Sequence, residues 1–178
     1  MSTLTADPGF ARGQVLGILW KAYDADNGDG SHVLGARKVF RDENPQTGAL
    51  LSNRTVECIC VKNSSGGALL PGAVVKFKDS AILSEVDGGA TTSTLLMGVV
   101  DEYLPTAGVP AGEIFWLVVA GPSTVTKTAT SVAAGAAYGL SATAGSAAAK
   151  STNPLLGYAI ATSATTSGRI LVRTEAGY

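Results

Sequence analysis

The residues of this chain that could do chemistry are one histidine, two cysteines and several carboxylates. His32 is the single histidine, and it lies in a loop rich in glycine and aspartate. A serine or cysteine hydrolase needs a general base beside its nucleophile, usually a histidine, and the sequence has no G-x-S-x-G motif that would hold the nucleophile. We therefore expect His32 to be a surface loop residue and the protein not to be an enzyme.

The two cysteines, Cys58 and Cys60, are separated by one residue in a predicted strand. Side chains two positions apart on a strand point to the same face, but their spacing lies near the outer limit of disulfide geometry. A zinc site built from Cys58, Cys60 and His32 would lack a fourth ligand, and Cys-x-Cys departs from the usual spacing of zinc ligands. The sequence predicts two buried free thiols, with no metal site and no cofactor.

The acidic residues between Asp24 and Asp29 match part of a calcium-binding loop. Asp24 and Asp26 occupy the first and third ligand positions of an EF-hand, but Asp29 stands where glycine is required and Gly35 replaces the bidentate glutamate. The segment therefore fails as an EF-hand. Two interpretations stay open for it, a looser cation site or a solvated turn.

Two pairs of neighbouring carboxylates, Asp42-Glu43 and Asp101-Glu102, are the remaining candidates for acid-base chemistry. Sequence neighbours on a strand point to opposite faces, so neither pair forms a glycosidase-like couple by itself. The sequence also contains neither a Walker A motif nor G-x-G-x-x-G, so it predicts no loop that cradles a phosphate. We expect no catalytic residue and no cofactor-binding residue.

The composition narrows the classes of partner. The chain has 13 basic and 14 acidic residues and a formal charge of -1, so it lacks the broad positive field that non-specific nucleic-acid binding requires. No segment approaches the roughly 20 apolar residues of a membrane helix, and the first residues do not match a signal peptide. We expect no nucleic-acid partner, no membrane partner and synthesis in a cytoplasm.

The chain changes character about a third of the way along. Residues 1–53 hold turn-rich stretches and apolar residues without a sustained period, which predicts an extended N-terminal arm with short structured pieces. Residues 54–178 alternate short apolar runs with Gly, Pro, Asn or Ser, which predicts a compact β domain. The fold class is therefore mainly β, and a sandwich, a barrel and a tulip-like arrangement all stay open. Candidate strands are 56–62, 73–78, 95–100, 114–120, 124–130, 156–161 and 169–174.

Three of these segments make finer predictions. Residues 114–119 are continuously apolar, which predicts a central strand covered on both faces, whereas residues 124–128 alternate and are expected to face water on one side. Residues 131–150 are almost wholly Ala, Gly, Ser and Thr. They are either a loosely packed stretch with a short helical turn near residues 147–149, or a subunit contact where small side chains let backbones approach closely.

Several segments, taken in order, resemble the capsid cement (head decoration) proteins of tailed bacteriophages. Residues 66–77 place a Pro-Gly turn before an apolar strand, and residues 98–122 place a Pro-Ala-Gly turn before an apolar strand that ends in Gly-Pro. Residues 156–161 and 169–173 are similar to the closing strands of such proteins. The order and spacing of these segments carry the resemblance, which covers roughly residues 54–174.

The resemblance implies a structural virion protein on the outer surface of an expanded icosahedral capsid. Such a protein assembles as a homotrimer at local three-fold sites and braces neighbouring subunits of the major capsid protein against internal DNA pressure. It needs shape, buried area and many copies rather than a catalyst, because three subunits that engage the shell together turn modest contacts into strong binding.

In this interpretation the N-terminal arm lies along the shell. Aromatic side chains contribute most where they fill pockets on a partner, and a basic patch surrounds one of the aromatic residues of the arm. The candidate capsid-contact residues are Phe10, Trp20, Arg37, Lys38, Phe40 and Arg41. For the basic patch, a solvated segment is the alternative. For the whole chain, the alternative is a tail or fibre knob domain that binds a host receptor or glycan, which would favour exposed aromatics clustered in the β domain.

Overall fold

The computed structural model describes residue 16, residues 34–92, 94–128 and 131–177, and the backbone of residues 19–21, 23–24 and 28–29. These residues form strands and a short 3-10 helix, Glu175–Gly177, and the predicted mainly β fold is confirmed. The strands are β1 (Leu19–Lys21), β2 (Tyr23–Asp24), β3 (Gly28–Asp29), β4 (Arg37–Glu43), β5 (Leu50–Asn63), β6 (Val74–Phe77), β7 (Glu85–Gly89), β8 (Met97–Val100), β9 (Glu113–Thr126), β10 (Ala137–Leu140), β11 (Ala147–Ala149), β12 (Leu155–Ala159) and β13 (Ser167–Arg173).

Eleven strands belong to one large sheet, and β2 and β3 form a separate hairpin. Along the sheet the order is β11-β10-β12-β13-β9-β8-β6-β7-β5-β4, with β1 added to β9. Strand β5 also pairs antiparallel with β9 and parallel with β7. Strands β5, β9, β8, β6 and β7 therefore close into a small barrel, here called the ring. Strands β13, β12, β10 and β11 continue from β9 as an antiparallel extension, here called the wing.

Two hydrophobic cores lie on the two sides of the ring wall. All five strands of the ring contribute side chains to the inner core. Ile59, Val75 and Leu117 are examples. Intervening residues such as Cys60 and Trp116 belong to the outer core, which also takes in residues from all four strands of the wing. The wall of the ring is therefore apolar on both faces.

Strand β9 explains why residues 114–119 are continuously apolar. Phe115 and Leu117 lie in the inner core, whereas Ile114 and Trp116 lie in the outer core, because successive side chains of a strand point to opposite faces. The strand pairs with β5 on one side and with β1, β8 and β13 on the other. Exposure alternates along residues 124–128. The predicted central strand and the predicted half-exposed segment are both confirmed, and residues 114–119 and 124–126 belong to the same strand.

Gly121 lies where β9 passes from the ring to the wing. Its φ is 99°, in the left-handed region that favours glycine. A side chain at this position would collide with the backbone carbonyl of Thr55 on β5. The pairing of β5 with β9 shifts register close by, between Glu57 and Cys58. Glycine here lets a single strand serve both parts of the sheet.

The small residues between 131 and 150 form a hairpin, so the predicted helical turn near residues 147–149 is wrong. Strand β11 pairs antiparallel with β10, and Ala147 is buried in the outer core. Next to it, a Cβ atom added to Gly89 would lie only 2.5 Å from the backbone nitrogen of Gly145. At this point the small residues permit close packing of backbone within the chain itself.

The predicted boundary between arm and β domain, at residue 53, falls inside β5. Strand β4 pairs with β5, and β1 pairs with the beginning of β9. Leu16 is buried in the outer core. These pieces of the first 53 residues therefore contact the β domain of their own chain, and the division of the chain into an arm (1–53) and a β domain (54–178) stays a prediction.

Candidate functional site

The basic patch predicted around Phe40 lies on strand β4. Arg37 and Arg41 are exposed, Lys38 is half-buried, and Phe40 is buried with 7% of its surface exposed. The Phe40 ring packs edge-on against Trp116, with ring centroids 5.4 Å apart, and the Lys38 ammonium lies 5.2 Å from the Phe40 centroid. The phenyl ring of Phe40 therefore belongs to the outer core, and the exposed groups of the patch are the two guanidinium groups.

The structure describes the other two predicted aromatic contact residues, Phe10 and Trp20, only in part. Phe10 lies outside the described residues. The backbone of Trp20 pairs with Ile114 on β9, and its side chain is outside the described part. His32 likewise falls outside it. The structure thus brings Arg37, Lys38, Phe40 and Arg41 together on one strand.

Arg37 is held at both ends of its guanidinium group. It donates to the Glu57 carboxylate on β5 at 2.8 Å and to the backbone carbonyl of Ala176, in the 3-10 helix, at 2.7 Å. The ion pair is solvent-exposed, and such pairs contribute at most about 1 kcal/mol. The effect of the ion pair is to orient the guanidinium group on the exposed face of β4.

Strand β4 and the first half of β5 are here called the ribbon, residues 37–55. Strand β4 begins beside the ring, where residues 37–40 pair with residues 56–59 of β5, and continues past it. Thr55 pairs with Arg41 and Leu50 with Glu43, with a shift of register between them, and residues 50–55 pair with no other described strand. Large apolar side chains are exposed on both strands of the ribbon: Val39 is 61% exposed, Leu50 50% and Leu51 48%. A turn closed by Asn44 connects the strands, since Asn44 N–H donates to Ala49 C=O at 2.8 Å.

A groove of about 190 Å³ follows β4. Residues 38–41, with Glu43 and Pro45, form most of its lining, and Leu16 closes one part of it. The groove therefore combines strand backbone, an apolar side chain and charges of both signs. Such a surface suits an extended polypeptide better than a small molecule.

A partly buried ionic cluster fixes the ribbon to the wing. The guanidinium group of Arg169, on β13, binds the carboxylates of Asp42 on β4 and of Glu102, the latter at 2.7 Å. Asp42 also accepts a hydrogen bond from the Ser52 hydroxyl at 2.6 Å, and Glu102 accepts one from the Thr124 hydroxyl at 2.6 Å. One arginine thus joins β4, β5, β9 and β13.

The electrostatics of this cluster keep Arg169 charged. Burial disfavours the charged guanidinium, but the carboxylates of Glu102 and Asp42 outweigh that effect and raise the pKa of Arg169. The predicted carboxylate pairs are therefore divided in the fold. One member of each, Asp42 and Glu102, meets at Arg169 across 127 and 67 residues of sequence.

The two cysteines are buried free thiols on the outer-core side of β5, as predicted. Burial raises the pKa of Cys60 to about 12. Burial, with smaller contributions from Asp101 and Glu57, raises the pKa of Cys58 as well. Because the thiolate is the nucleophile and the metal ligand, neither cysteine is poised for reaction at neutral pH.

The predicted acidic loop is described only at its flanks. Tyr23 pairs with Asp29 and Asp24 with Gly28, while residues 25–27 lie outside the described part. Among the described residues there is no group of three or more His, Cys, Asp or Glu side chains placed to hold a metal ion. Within the same ranges, no helix is long and apolar enough to span a bilayer.

The comparisons with known proteins give a structural likeness. No protein-family model and no curated protein matches the sequence. Among solved structures, the chain is similar to one titled "The crystal structure of head fiber gp8.5 N base in bacteriophage phi29". The two are 12% identical, with a TM-score of 0.43, and the match covers 65% of this chain and 92% of that one. At this level the likeness assigns neither a family nor a function.

Proposed function

We propose that this chain is a structural protein of a phage virion that binds the outside of an expanded capsid and stabilises contacts between major capsid subunits. In this proposal it works as a homotrimer, is made in the host cytoplasm, binds no nucleic acid or membrane, and is not an enzyme. The exposed ribbon is the part that engages the shell.

Two observations support the proposal. The first is the resemblance of residues 54–174 to capsid cement proteins. The second, which carries the assignment of the contact surface, is the ribbon itself. Val39 on β4 is 61% exposed, and Leu50 and Leu51, on the part of β5 that extends past the ring, are 50% and 48% exposed. Exposed apolar groups of this kind mark interaction surfaces.

The exposed guanidinium groups fit the same role. Arg37 and Arg41 flank Val39 on the exposed face of β4. Arginine is enriched at protein interfaces because its planar group makes several hydrogen bonds while its stem packs on apolar surface. The ribbon therefore offers an apolar centre with a basic rim, which favours an acidic and apolar partner surface.

A receptor- or glycan-binding knob is the alternative, and the distribution of aromatic side chains favours it less. A glycan site is built on exposed aromatic rings. Within the described part of residues 54–177, Trp116 and Tyr138 are buried, Tyr103 is half-buried, and Tyr158 is the one exposed aromatic side chain at 43%. A single exposed tyrosine does not form a cluster.

Co-sedimentation tests the proposal. The purified chain is mixed with expanded and with unexpanded empty shells of its phage, and the bound fraction is measured over a range of concentrations. We expect saturable binding to expanded shells and little to unexpanded ones, since bracing requires the geometry of the mature lattice. Equal binding to both, or binding to neither, would contradict the proposal, and a glycan array in the same buffer would then test the knob.

A further inference from the structure

Among the described strands, β4 has one edge without a strand partner. It stands at the end of the sheet order, and among the described strands it pairs with β5 alone. Cys60 N–H donates to Ala36 C=O at 2.9 Å, so the backbone groups of even-numbered residues face β5. Because these groups alternate along an antiparallel strand, those of the odd-numbered residues, 37 to 43, face away from it. Such an edge is a template for a further strand.

The side chains along this edge are accessible. The groove that follows β4 is lined by residues 38–41, Glu43, Pro45 and Leu16, and Val39 in this lining is 61% exposed. Arg37 and Arg41, on either side of Val39, are also exposed. An added strand would therefore meet backbone groups that no other described strand pairs with, and a defined row of side chains.

We propose that this edge pairs with the same edge of a second copy of the chain, antiparallel and centred on Phe40. In that register Arg37 stands opposite Glu43 of the other copy, and Val39 stands opposite Arg41. The two-fold axis repeats each pair. Opposite charges directly across an antiparallel pair are stabilising, and the stem of an arginine packs well on valine. Charge complementarity of the strand with itself is the basis of the proposal.

Among the registers centred on a residue of β4, no other avoids a clash of charge. A two-fold axis perpendicular to the sheet keeps every side chain on its own face, so the pairing must be centred on a residue. Centring on Val39 would set Arg37 opposite Arg41, and centring on Arg41 would set that residue opposite its own copy. Centring on Lys38 or Asp42 would oppose two like charges in the same way. Like charges directly opposite are destabilising.

The even-numbered residues of β4, on the face that Phe40 buries in the outer core, agree with this register. Lys38 stands opposite Asp42 of the second copy, and Phe40 stands opposite Phe40. Asp42 keeps its partner Arg169 and Phe40 keeps its place against Trp116, so the pairing requires no rearrangement of the ionic cluster or the outer core.

This contact is isologous and joins copies in twos, so it is distinct from a three-fold contact. Seven residues on each strand bury less than the roughly 1,200 Å² of a stable complex. Free copies therefore associate weakly. Copies held side by side on one surface would pair at high effective concentration, and the contact would then link neighbouring units into a network.

Sedimentation equilibrium of the full chain over a wide concentration range tests the pairing. We expect the mass at high concentration to reach at least about twice that of the Val39→Pro variant. Proline at this position removes an N–H that faces away from β5, and edge positions of this kind tolerate proline, so the fold should be kept. A wild-type mass that never exceeds that of the variant would overturn the proposal. Far-ultraviolet circular dichroism checks the fold of the variant.

A charge swap tests the register. Glu43→Arg places arginine opposite Arg37 at both ends and should weaken association at least about tenfold. The double variant Arg37→Glu/Glu43→Arg restores opposite charges and should regain most of the loss. Because Arg37→Glu also removes the contact with Glu57, the thermal midpoints of all variants are compared. Equal weakening in the single and double variants would show that the edge takes another strand or another register, and would overturn pairing of β4 with itself.

Discussion

The two halves of strand β5 have opposite surroundings. From Val56 onward the strand is part of the ring, with β9 on one side and a core on each face. Before Val56 it has β4 as its one described neighbour, and Leu50 and Leu51 are about half exposed. The ring half of β5 therefore makes many apolar contacts, and the ribbon half makes few. The ring half sets stability, and the ribbon half is free to serve a partner.

The largest expected effect comes from removing a core side chain of the ring. Leu117→Ala empties a site between ring strands, where Leu117 is fully buried, and should reduce the free energy of unfolding by about 2–5 kcal/mol. Leu50→Ala, the matched change in the ribbon, should alter it by less than about 0.5 kcal/mol. Urea denaturation of both variants measures the difference. Similar losses would show that the ribbon is as much part of the folded core as the ring.

A smaller effect is expected where the ribbon joins the wing. Arg169→Met removes the cation between Asp42 and Glu102 and leaves the buried Asp42 carboxylate with Ser52 alone, so we expect a loss of about 1–3 kcal/mol. Arg54→Met, on an exposed arginine of β5, is the control and should change stability by less than about 0.5 kcal/mol. Proteolysis should then cut the ribbon of Arg169→Met first, and intact ribbons in both variants would argue against the cluster as its anchor.

The cysteines distinguish the two halves of β5 by reactivity. Cys58 and Cys60 should resist a thiol reagent in the native protein at neutral pH, whereas Thr55→Cys, on the exposed side of the boundary, should add one rapidly labelled thiol. Because burial raises the folded-state pKa of both thiols above the ordinary 9.0, their contribution to stability is complete below that pH. It is lost as pH rises further, since the unfolded state releases its protons first. Rapid labelling of the parent protein would refute the burial.

The sequence predicts those features of this structure that depend on neighbouring residues, and not those that depend on residues distant in sequence. The continuous apolar run of β9 predicted a strand covered on both faces, because an apolar side chain at every position indicates that each position is buried. Residues 131–150 gave no such signal, since alanine and glycine fit a helical turn, a loop or the β10–β11 hairpin equally well in sequence. The pairing partner of β10 decides between them, and local sequence does not encode it.

The candidate site shows the same limit. Exposure of Arg37 and Arg41 followed from their charge, but the burial of Phe40 depends on Trp116, 76 positions later in the sequence. The exposed leucines Leu50 and Leu51 were not singled out from the sequence, because an apolar pair beside a predicted strand is ordinarily assigned to a core. Closure of the ring likewise depends on the parallel contact of β5 with β7, which no local pattern marks.

The most direct test of the account is shell binding by two matched surface variants. Leu50→Ser/Leu51→Ser removes apolar area from the ribbon, and Ile82→Ser/Leu95→Ser removes similarly exposed area outside it. Both should keep the thermal midpoint of the parent protein. In co-sedimentation with expanded shells, we expect the ribbon variant to lose binding and the control to retain it. Unchanged binding of the ribbon variant, beside a parent protein that binds, would contradict the claim that the ribbon is the capsid contact.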